Sequence, residues 1–190
     1  MNQEDSVVIS GLLHFTSKGK GSHKYFPFAV RHENKWTDGT TRKDFLSVRA
    51  FPDEIQEKLK GLEQGAPVRV TGVLRSSRGS GEMYLAALSL EEPKGSELEN
   101  HVKLSGNVHF VKAQAEGETG TGKYVRFAVR QDNQELDGSP RRDFIVVRVY
   151  DEQLREILNT KQDGEPVTVE GTLRSSRGSG VNYVRCTAIN

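Results

Sequence analysis

Near-duplication is the feature of this sequence that most constrains its fold. The octapeptide LRSSRGSG stands at 74–81 and again at 173–180, so its two copies begin 173 − 74 = 99 positions apart. Upstream of it, residues 24–51 align without gaps to 123–150, and 14 of the 28 positions are identical. A chain that repeats itself over most of its length builds one supersecondary unit twice.

The repeat also indicates where the domains lie. Each copy spans about 90 residues, a small size that still supports a hydrophobic core of its own. The stretch EEPKGSELEN between the copies is polar and contains Pro and Gly, which is typical of a linker. We therefore predict a first domain at 1–93, a linker at 94–100 and a second domain at 101–190.

Period-two alternation of apolar residues dominates each copy and predicts β-strands. A short helical pattern, DEIQEKLKGL in the first copy and DEQLREILNT in the second, follows the third strand, and we expect Asp53 and Asp151 to cap these helices. Three strands, a helix and two strands are the order of the OB barrel. We predict an all-β chain of two tandem OB-fold five-stranded barrels, each with a short helix between strands three and four. In the first copy the predicted strands are Val7–Phe15, Tyr25–Arg31, Asp44–Phe51, Val68–Arg75 and Met83–Leu90.

Strand three carries the strongest functional signal. One face holds an apolar core stripe, whereas the other presents an arginine between two aromatic rings. Rings stack on unpaired bases and a guanidinium contacts phosphate or stacks as well, so this face suits single-stranded nucleic acid. The alternative is that the rings pack under a loop or a partner subunit. The residues concerned are Phe45, Arg49 and Phe51 in the first copy and Phe144, Arg148 and Tyr150 in the second.

Further cations surround this face in both copies. The loop RSSRGSG joins strands four and five, and keeping both arginines twice favours phosphate binding over a plain hairpin turn with solvated arginines. The sole tryptophan, Trp36, either stacks on a base or covers the barrel. The cationic candidates are Arg75, Arg78, Arg174 and Arg177 in this loop, Arg42, Lys43, Arg141 and Arg142 before strand three, and Arg31 and Arg130 on the outward face of strand two.

Composition limits the class of protein. The net charge is +1, and each predicted domain holds 13 basic and 12 acidic residues, so a site for a polyanion requires spatial segregation of charge. The sequence has no apolar run of about 18 residues and no signal-peptide pattern at its start. One cysteine, Cys186, suits a reducing compartment. We expect a cytoplasmic protein without a membrane partner.

Catalytic and metal motifs are not recognisable in the sequence. GETGTGKY at 117–124 resembles a phosphate-binding loop, but Tyr124 stands where Ser or Thr would hold magnesium, and the stretch leads into a strand. His14 and His109 repeat on the outward face of strand one without metal-type spacing. No catalytic set recurs in both copies. We therefore expect no enzymatic activity, no cofactor and no metal.

The ordered combination of these motifs resembles the bacterial single-stranded DNA-binding protein family over nearly the whole chain, twice. Each half also resembles primosomal replication protein N, a dimeric relative. The family stacks bases on aromatics of strands two and three, but Asn34 and Asn133 stand where it often has an aromatic, and Gly79 and Gly178 fall near another such position. The motifs are Val102–Val108, Phe127–Val129, Asp143–Tyr150 and Val167–Arg174, with Gly11, Phe28–Val30, Asp44–Phe51 and Val68–Arg75 in the first copy.

The resemblance implies non-catalytic binding of single-stranded DNA, largely independent of sequence, in replication, repair or recombination. Because the family works as four OB domains, it also implies a homodimer. The family ends in a disordered tail with an acidic tip that recruits enzymes; the sequence reaches Asn190 directly after strand five, so we expect no such recruitment and a more specialised role, for example in primosome assembly. RNA binding and a protein-interaction scaffold remain alternatives.

Overall fold

The computed structural model describes residues 5–16, 24–36, 38–111, 116–119, 122–135 and 137–190. Strands and two short helices account for most of them. The first half of the chain contains β1 (Ser6–His14), β2 (Phe26–Lys35), β3 (Thr41–Ala50), α1 (Asp53–Lys60), β4 (Pro67–Ser76) and β5 (Met83–Glu91). The second half contains β6 (Asn100–His109), β7 (Glu116–Thr119), β8 (Gly122–Gln134), β9 (Pro140–Val149), α2 (Glu152–Thr160), β10 (Pro166–Ser175) and β11 (Asn182–Ile189).

Strand pairing closes a five-stranded barrel. In the first half, β1 pairs with β2, β2 with β3, β3 with β5, β5 with β4, and β4 returns to β1. Only the β3–β5 pairing is parallel among these described strands. The pairings of β6, β8, β9, β11 and β10 repeat the same ring order. The predicted all-β fold with a five-stranded OB-type barrel is therefore confirmed.

Alternation along the strands places the core as the sequence predicts. Leu46, Val48 and Ala50 of β3 are at most 1% exposed and pack inside the barrel. Phe28 and Val30 of β2 are equally buried. Because successive side chains of a strand point to opposite faces, the intervening residues of β3 must lie on the outer surface.

The two helices begin differently, and one expected cap is wrong. The Asp151 carboxylate accepts a hydrogen bond from the Leu154 backbone N–H at 3.0 Å and caps α2 as predicted. In α1, Asp53 is the first helical residue, and Pro52 occupies the cap position without a side-chain hydrogen bond. Asp53 therefore stands one position too late to cap the helix, although its charge still favours the first turn.

In each barrel, a glycine of the fourth strand faces a bulge in the fifth strand. The β4–β5 register shifts between Thr71 and Gly72, and the β10–β11 register shifts between Glu170 and Gly171. A Cβ at Gly72 would lie 2.1 Å from the carbonyl oxygen of Ala86. Only glycine allows the two backbones to approach this closely. The extra residue is Leu88 in β5 and Thr187 in β11, so the bulge bends the fifth strand, as closing a small barrel requires.

Strands β1 and β6 join the two halves of the molecule. They pair antiparallel from Ser6 opposite Lys103 to Ile9 opposite Asn100, so all eleven strands belong to one continuous sheet. Within the described residues, neither helix has the length and apolarity needed to cross a membrane.

Candidate nucleic-acid interface

Aromatic rings lie exposed on the outer side of the third strand of each barrel. Phe45 and Phe51 are each 41% exposed, and Phe144 is 36% exposed. Tyr150 is partly exposed. We call Tyr25, Phe45, Arg49, Phe51 and Tyr84 the first face, and Tyr124, Phe144, Arg148, Tyr150 and Tyr183 the second face.

The arginine of the first face is held between tyrosine rings. The Arg49 guanidinium carbon lies 4.0 Å from the ring centroid of Tyr84 and 4.8 Å from that of Tyr25. Its Nη2 donates a hydrogen bond to the Ser77 hydroxyl at 2.8 Å. The two cation–π contacts and the hydrogen bond together restrict the orientation of the guanidinium.

The second face repeats this geometry. The Arg148 guanidinium carbon lies 3.9 Å from the Tyr183 ring and 4.7 Å from the Tyr124 ring, and Nη2 donates to the Ser176 hydroxyl at 2.8 Å. Tyr25, directly before β2, and Tyr124, within β8, were not among the predicted site residues, although the dipeptide KY recurs in both copies and signals them. The strand-five tyrosines are buried, as expected of packing residues, yet they also support the arginine.

A histidine packs against the phenylalanine in the middle of each third strand. The His14 and Phe45 ring centroids are 5.0 Å apart, and those of His109 and Phe144 are 5.1 Å apart. Both histidines come from the first strand of their barrel. Each face therefore has an aromatic pair at this end as well as the tyrosine cluster at the other.

Arginines of the second strand lie beside these rings. Arg31 is paired with Phe45 across the β2–β3 ladder, and Arg130 is paired with Phe144 across the β8–β9 ladder. Both side chains are partly exposed and lie near an acidic neighbour, Arg31 at 3.5 Å from Glu33. Both arginines thus lie at the partly exposed side of the second strand, and their part in binding stays a prediction.

A buried aspartate, Asp44, connects the first barrel to the second. Its carboxylate accepts hydrogen bonds from the Ser175 backbone N–H at 3.0 Å and from Arg174 Nε at 3.0 Å. Asn34 donates to the same carboxylate at 2.7 Å. Arg42 completes the cluster with a 2.7 Å hydrogen bond to the Ser175 carbonyl.

Asp143 makes the reciprocal cluster in the second barrel. It accepts from the Ser76 backbone N–H at 2.9 Å, from Arg75 at 3.0 Å and from Asn133 at 2.9 Å. Arg141 contacts it at 3.1 Å and donates to the Ser76 carbonyl at 2.7 Å. Burial by itself raises the pKa of Asp143, but these hydrogen bonds and the Arg141 charge outweigh burial and hold the pKa below its usual range.

The two clusters give the repeated octapeptide a structural role. Its first arginine and first serine reach across to the opposite half of the chain in both copies. Four predicted site residues, Arg42, Arg75, Arg141 and Arg174, are engaged in these contacts between the halves. Asn34 and Asn133 hold the aspartates, which explains why no aromatic stands at those positions.

The remaining predicted cations lie at the surface. Lys43, Arg78, Arg142 and Arg177 are exposed. Arg78 donates to Glu135 at 3.0 Å and Arg142 donates to Asp132 at 3.0 Å, and both side chains are about 70% accessible, at 71% and 70%. Surface pairs of this kind are weak and leave the cation available to a stronger anion such as phosphate.

Trp36 of the first half reaches the second face. It is partly buried, and its ring lies 5.7 Å from the Arg174 guanidinium and 5.8 Å from that of Arg185. Arg185 also lies 4.6 Å from the Tyr150 ring. Sequence analysis missed Arg185 because its counterpart in the first copy is Ala86, so repetition gave no signal there.

Metal and nucleotide-hydrolase chemistry find no support in the described part of the chain. No group of three or more His, Cys, Asp or Glu side chains is placed to hold a metal among those residues. Lys123 lies in strand β8 and not at a helix N-terminus. The stretch of the first copy that corresponds to this loop falls mostly at 17–23, outside the described residues.

Comparison with solved structures identifies proteins that share this fold. No family model and no curated protein sequence matches the chain. The wild-type single-stranded DNA binding protein from Thermus aquaticus superposes with a TM-score of 0.74 at 20% identity, covering 100% of this chain and 93% of that one. A deletion variant of that protein gives a TM-score of 0.70 at 19% identity, covering 99% and 94%. The chain therefore has, over its whole length, the fold of a bacterial single-stranded DNA-binding protein.

Proposed function

We propose that the chain binds single-stranded DNA without catalysis and without strong sequence preference. The observation that carries this proposal is the pair of equivalent faces, each with large rings open to solvent around a fixed guanidinium. Apolar rings left in water lose the stabilisation that burial would provide. Unpaired bases offer flat partners for such rings, with about 1–3 kcal/mol for each stacked base.

Charge supports capture of the phosphate backbone. Lys43, Arg78, Arg142 and Arg177 lie exposed, and Arg31 and Arg130 flank the phenylalanines. Each phosphate that such a cation neutralises releases a counterion, so affinity falls as salt rises. Arg42, Arg75, Arg141 and Arg174 are left out of this proposed contact set, because they hold the two halves together.

We also propose that each half is an OB domain, with the boundaries 1–93 and 101–190. The ring of paired strands in each half supports this division, and no strand lies between Glu91 and Asn100.

Two chains would supply four domains, and we propose a homodimer. Light scattering at several concentrations tests this, since a single species at the 21.2 kDa chain mass would contradict it.

The structural neighbours support the choice of ligand. The Thermus aquaticus protein is named for binding single-stranded DNA. We propose that this chain serves DNA replication, repair or recombination in the cytoplasm. Competition between matched DNA and RNA oligomers separates this proposal from RNA binding, because only RNA presents a 2′-hydroxyl.

Oligo-dT binding tests the proposal directly. Wild-type protein is titrated with dT oligomers of increasing length at several salt concentrations. We expect Phe45→Ala/Phe144→Ala to weaken binding at least tenfold, since two stacking rings are lost. Arg49→Ala/Arg148→Ala should also weaken binding, because both tyrosine clusters lose the cation that orders them.

A matched control separates loss of stacking from loss of exposed apolar surface. Leu88→Ala/Ile157→Ala removes two other exposed hydrophobic side chains, 65% and 41% accessible, that belong to neither face. We expect this variant to bind like the wild type. Equal affinity of all these variants, or absence of binding by the wild type at low salt, would contradict the proposed function.

A further inference from the structure

The second face borders a cleft that is built from both halves of the chain. Its volume is about 440 Å³, within the usual range for small-ligand sites. Trp36, Asp38 and Arg42 of the first half line one side. Tyr150 and Arg177 are among the second-half residues that line the other.

The rings that line this cleft contact one another and two guanidinium groups, that of Arg148, which lines the cleft, and that of Arg185, which is not among the lining residues. Arg185 lies between Trp36, at 5.8 Å, and Tyr150, at 4.6 Å. The Tyr150 and Tyr124 ring centroids are 5.2 Å apart, and Arg148 follows on Tyr124 at 4.7 Å. A base inserted here would meet an aromatic or guanidinium surface on either side.

The walls of the cleft are held in place before any ligand arrives. The Trp36 backbone N–H donates to the Thr40 carbonyl at 2.8 Å, and the Gly39 N–H donates to the Trp36 carbonyl at 3.0 Å. The Asp38 carboxylate accepts from the Thr40 backbone and hydroxyl, at 2.9 and 2.7 Å. Asp38, the one acidic residue among the described residues that line the cleft, is therefore already hydrogen-bonded within its own turn.

The first face lacks this arrangement at two equivalent positions. Glu135 of the second half takes the place of Trp36, and its carboxylate pairs with Arg78 and Arg141 at 3.0 Å. In the β3–β5 pairing Arg49 lies opposite Ala86, whereas in the β9–β11 pairing Arg148 lies opposite Arg185. The first face thus has a carboxylate and a methyl group where the second has an indole and a guanidinium.

We propose that the two faces are unequal, and that the cleft of the second face, completed by Trp36 from the other half, is the primary site for a short single-stranded segment. This inference rests on the function proposed above. An extra ring and an extra cation both add binding free energy, while the Glu135 carboxylate occupies Arg78, a cation that phosphate would otherwise meet. Short oligomers fill the second face first, and longer ones extend to the first face.

A pair of equivalent substitutions tests the inequality. Tyr150→Ala and Phe51→Ala remove the ring at the same position of the two faces. With a dT oligomer of about five nucleotides, near the lower limit for one OB fold, we expect Tyr150→Ala to weaken binding about tenfold and Phe51→Ala less than about threefold. Arg185→Ala, which makes the second face resemble the first, should weaken binding about fivefold.

The sole tryptophan supplies an independent readout. Trp36 fluorescence should change as the short oligomer binds to the wild type, to Phe51→Ala and to the Leu88→Ala/Ile157→Ala control. Equal losses for Tyr150→Ala and Phe51→Ala, or unchanged Trp36 fluorescence with the oligomer bound, would overturn the inference and leave the proposed function intact. Wild-type protein that binds no oligomer of any length would instead overturn the proposed function.

Discussion

The charged residues of this molecule fall into two groups, those whose side chains contact a buried partner and those whose side chains face solvent. Arg75 and Arg177 occur in copies of the same octapeptide, yet Arg75 meets the buried Asp143 at 3.0 Å, whereas Arg177 is exposed. A buried carboxylate without its partners would be strongly destabilising, so a cation beside it has a structural task. A cation at the surface is available to a ligand. The partner, and not the residue type, sets the role.

Asp143→Asn should lower the free energy of unfolding by roughly 3–5 kcal/mol at pH 7, because it leaves the partly buried Arg75 and Arg141 without their buried counter-charge. The folded pKa of Asp143 is lowered. Its contribution is therefore complete above the unfolded value, about 3.9, and is lost as the pH falls through the folded pKa. Urea unfolding of both proteins at pH 7 and near pH 3 measures this difference, which should shrink in acid.

The exposed pair of Asp132 and Arg142, 3.0 Å apart, provides the control for this prediction. Asp132→Asn should cost no more than about 1 kcal/mol, since solvent screens an exposed ion pair. A comparable loss for both variants, or a difference for Asp143→Asn that does not depend on pH, would contradict the role assigned to the buried cluster.

The contribution of Asp5 to the free energy of unfolding should depend on pH in the opposite direction. Burial raises the pKa of Asp5 to about 6, more than its hydrogen bond from Gln131 lowers it. Because the folded pKa lies above the unfolded value, Asp5 favours the fold at low pH and loses this contribution as the pH rises through 6. Asp5→Asn should therefore raise the free energy of unfolding by roughly 1–3 kcal/mol at pH 7. Urea unfolding at pH 7 and pH 4 checks this, and a gain at pH 4 equal to that at pH 7 would refute it.

Among the secondary-structure elements, the fourth strand of each barrel is the most restricted by backbone geometry. It pairs with the first strand on one side and the fifth on the other. Beside the bulge in the fifth strand, a Cβ at Gly72 or Gly171 would lie 2.1 Å from a carbonyl oxygen of that strand. The strand therefore depends on glycine for a steric reason that no side-chain contact reveals.

Gly72→Ala should reduce the free energy of unfolding by roughly 2–4 kcal/mol, because the new methyl group can be accommodated only if β4 and β5 separate. Gly95→Ala is the matched control, since nothing lies within 4 Å of a Cβ at that position. Its effect should stay within about 0.5 kcal/mol. Unfolding of both variants in guanidinium chloride measures the two losses in free energy of unfolding. A loss for Gly72→Ala no greater than that for Gly95→Ala would argue against the close approach of the β4 and β5 backbones.

At the scale of the whole molecule, several kinds of contact link the two halves. The β1–β6 ladder joins their backbones, and the Asp44 and Asp143 clusters join each barrel to the other's strand four. The Asn182 side chain adds two hydrogen bonds of 3.1 Å to the backbone of Ser47. These links fix the angle between the faces and hold Trp36 against the second one.

The halves should consequently unfold together. In calorimetry we expect one transition for the wild type, with a ratio of calorimetric to van't Hoff enthalpy near one. In Asp44→Asn/Asp143→Asn both side-chain clusters are lost while the β1–β6 ladder remains. The ratio should then rise toward two as the halves unfold separately. A wild-type ratio already near two would show that the contacts between the halves do not couple them.

The sequence by itself determined the repeat, the strand order of the barrel and the outward face of strand three, because alternation and turn residues act over a few neighbouring positions. It could not separate the arginines that hold the halves together from those at the surface. Asp44 and Arg174 are 130 positions apart, and Trp36 reaches Arg185 only because the barrels share one sheet. Local pattern determines which face of a strand a side chain occupies, but the packing of the two barrels decides what that side chain meets.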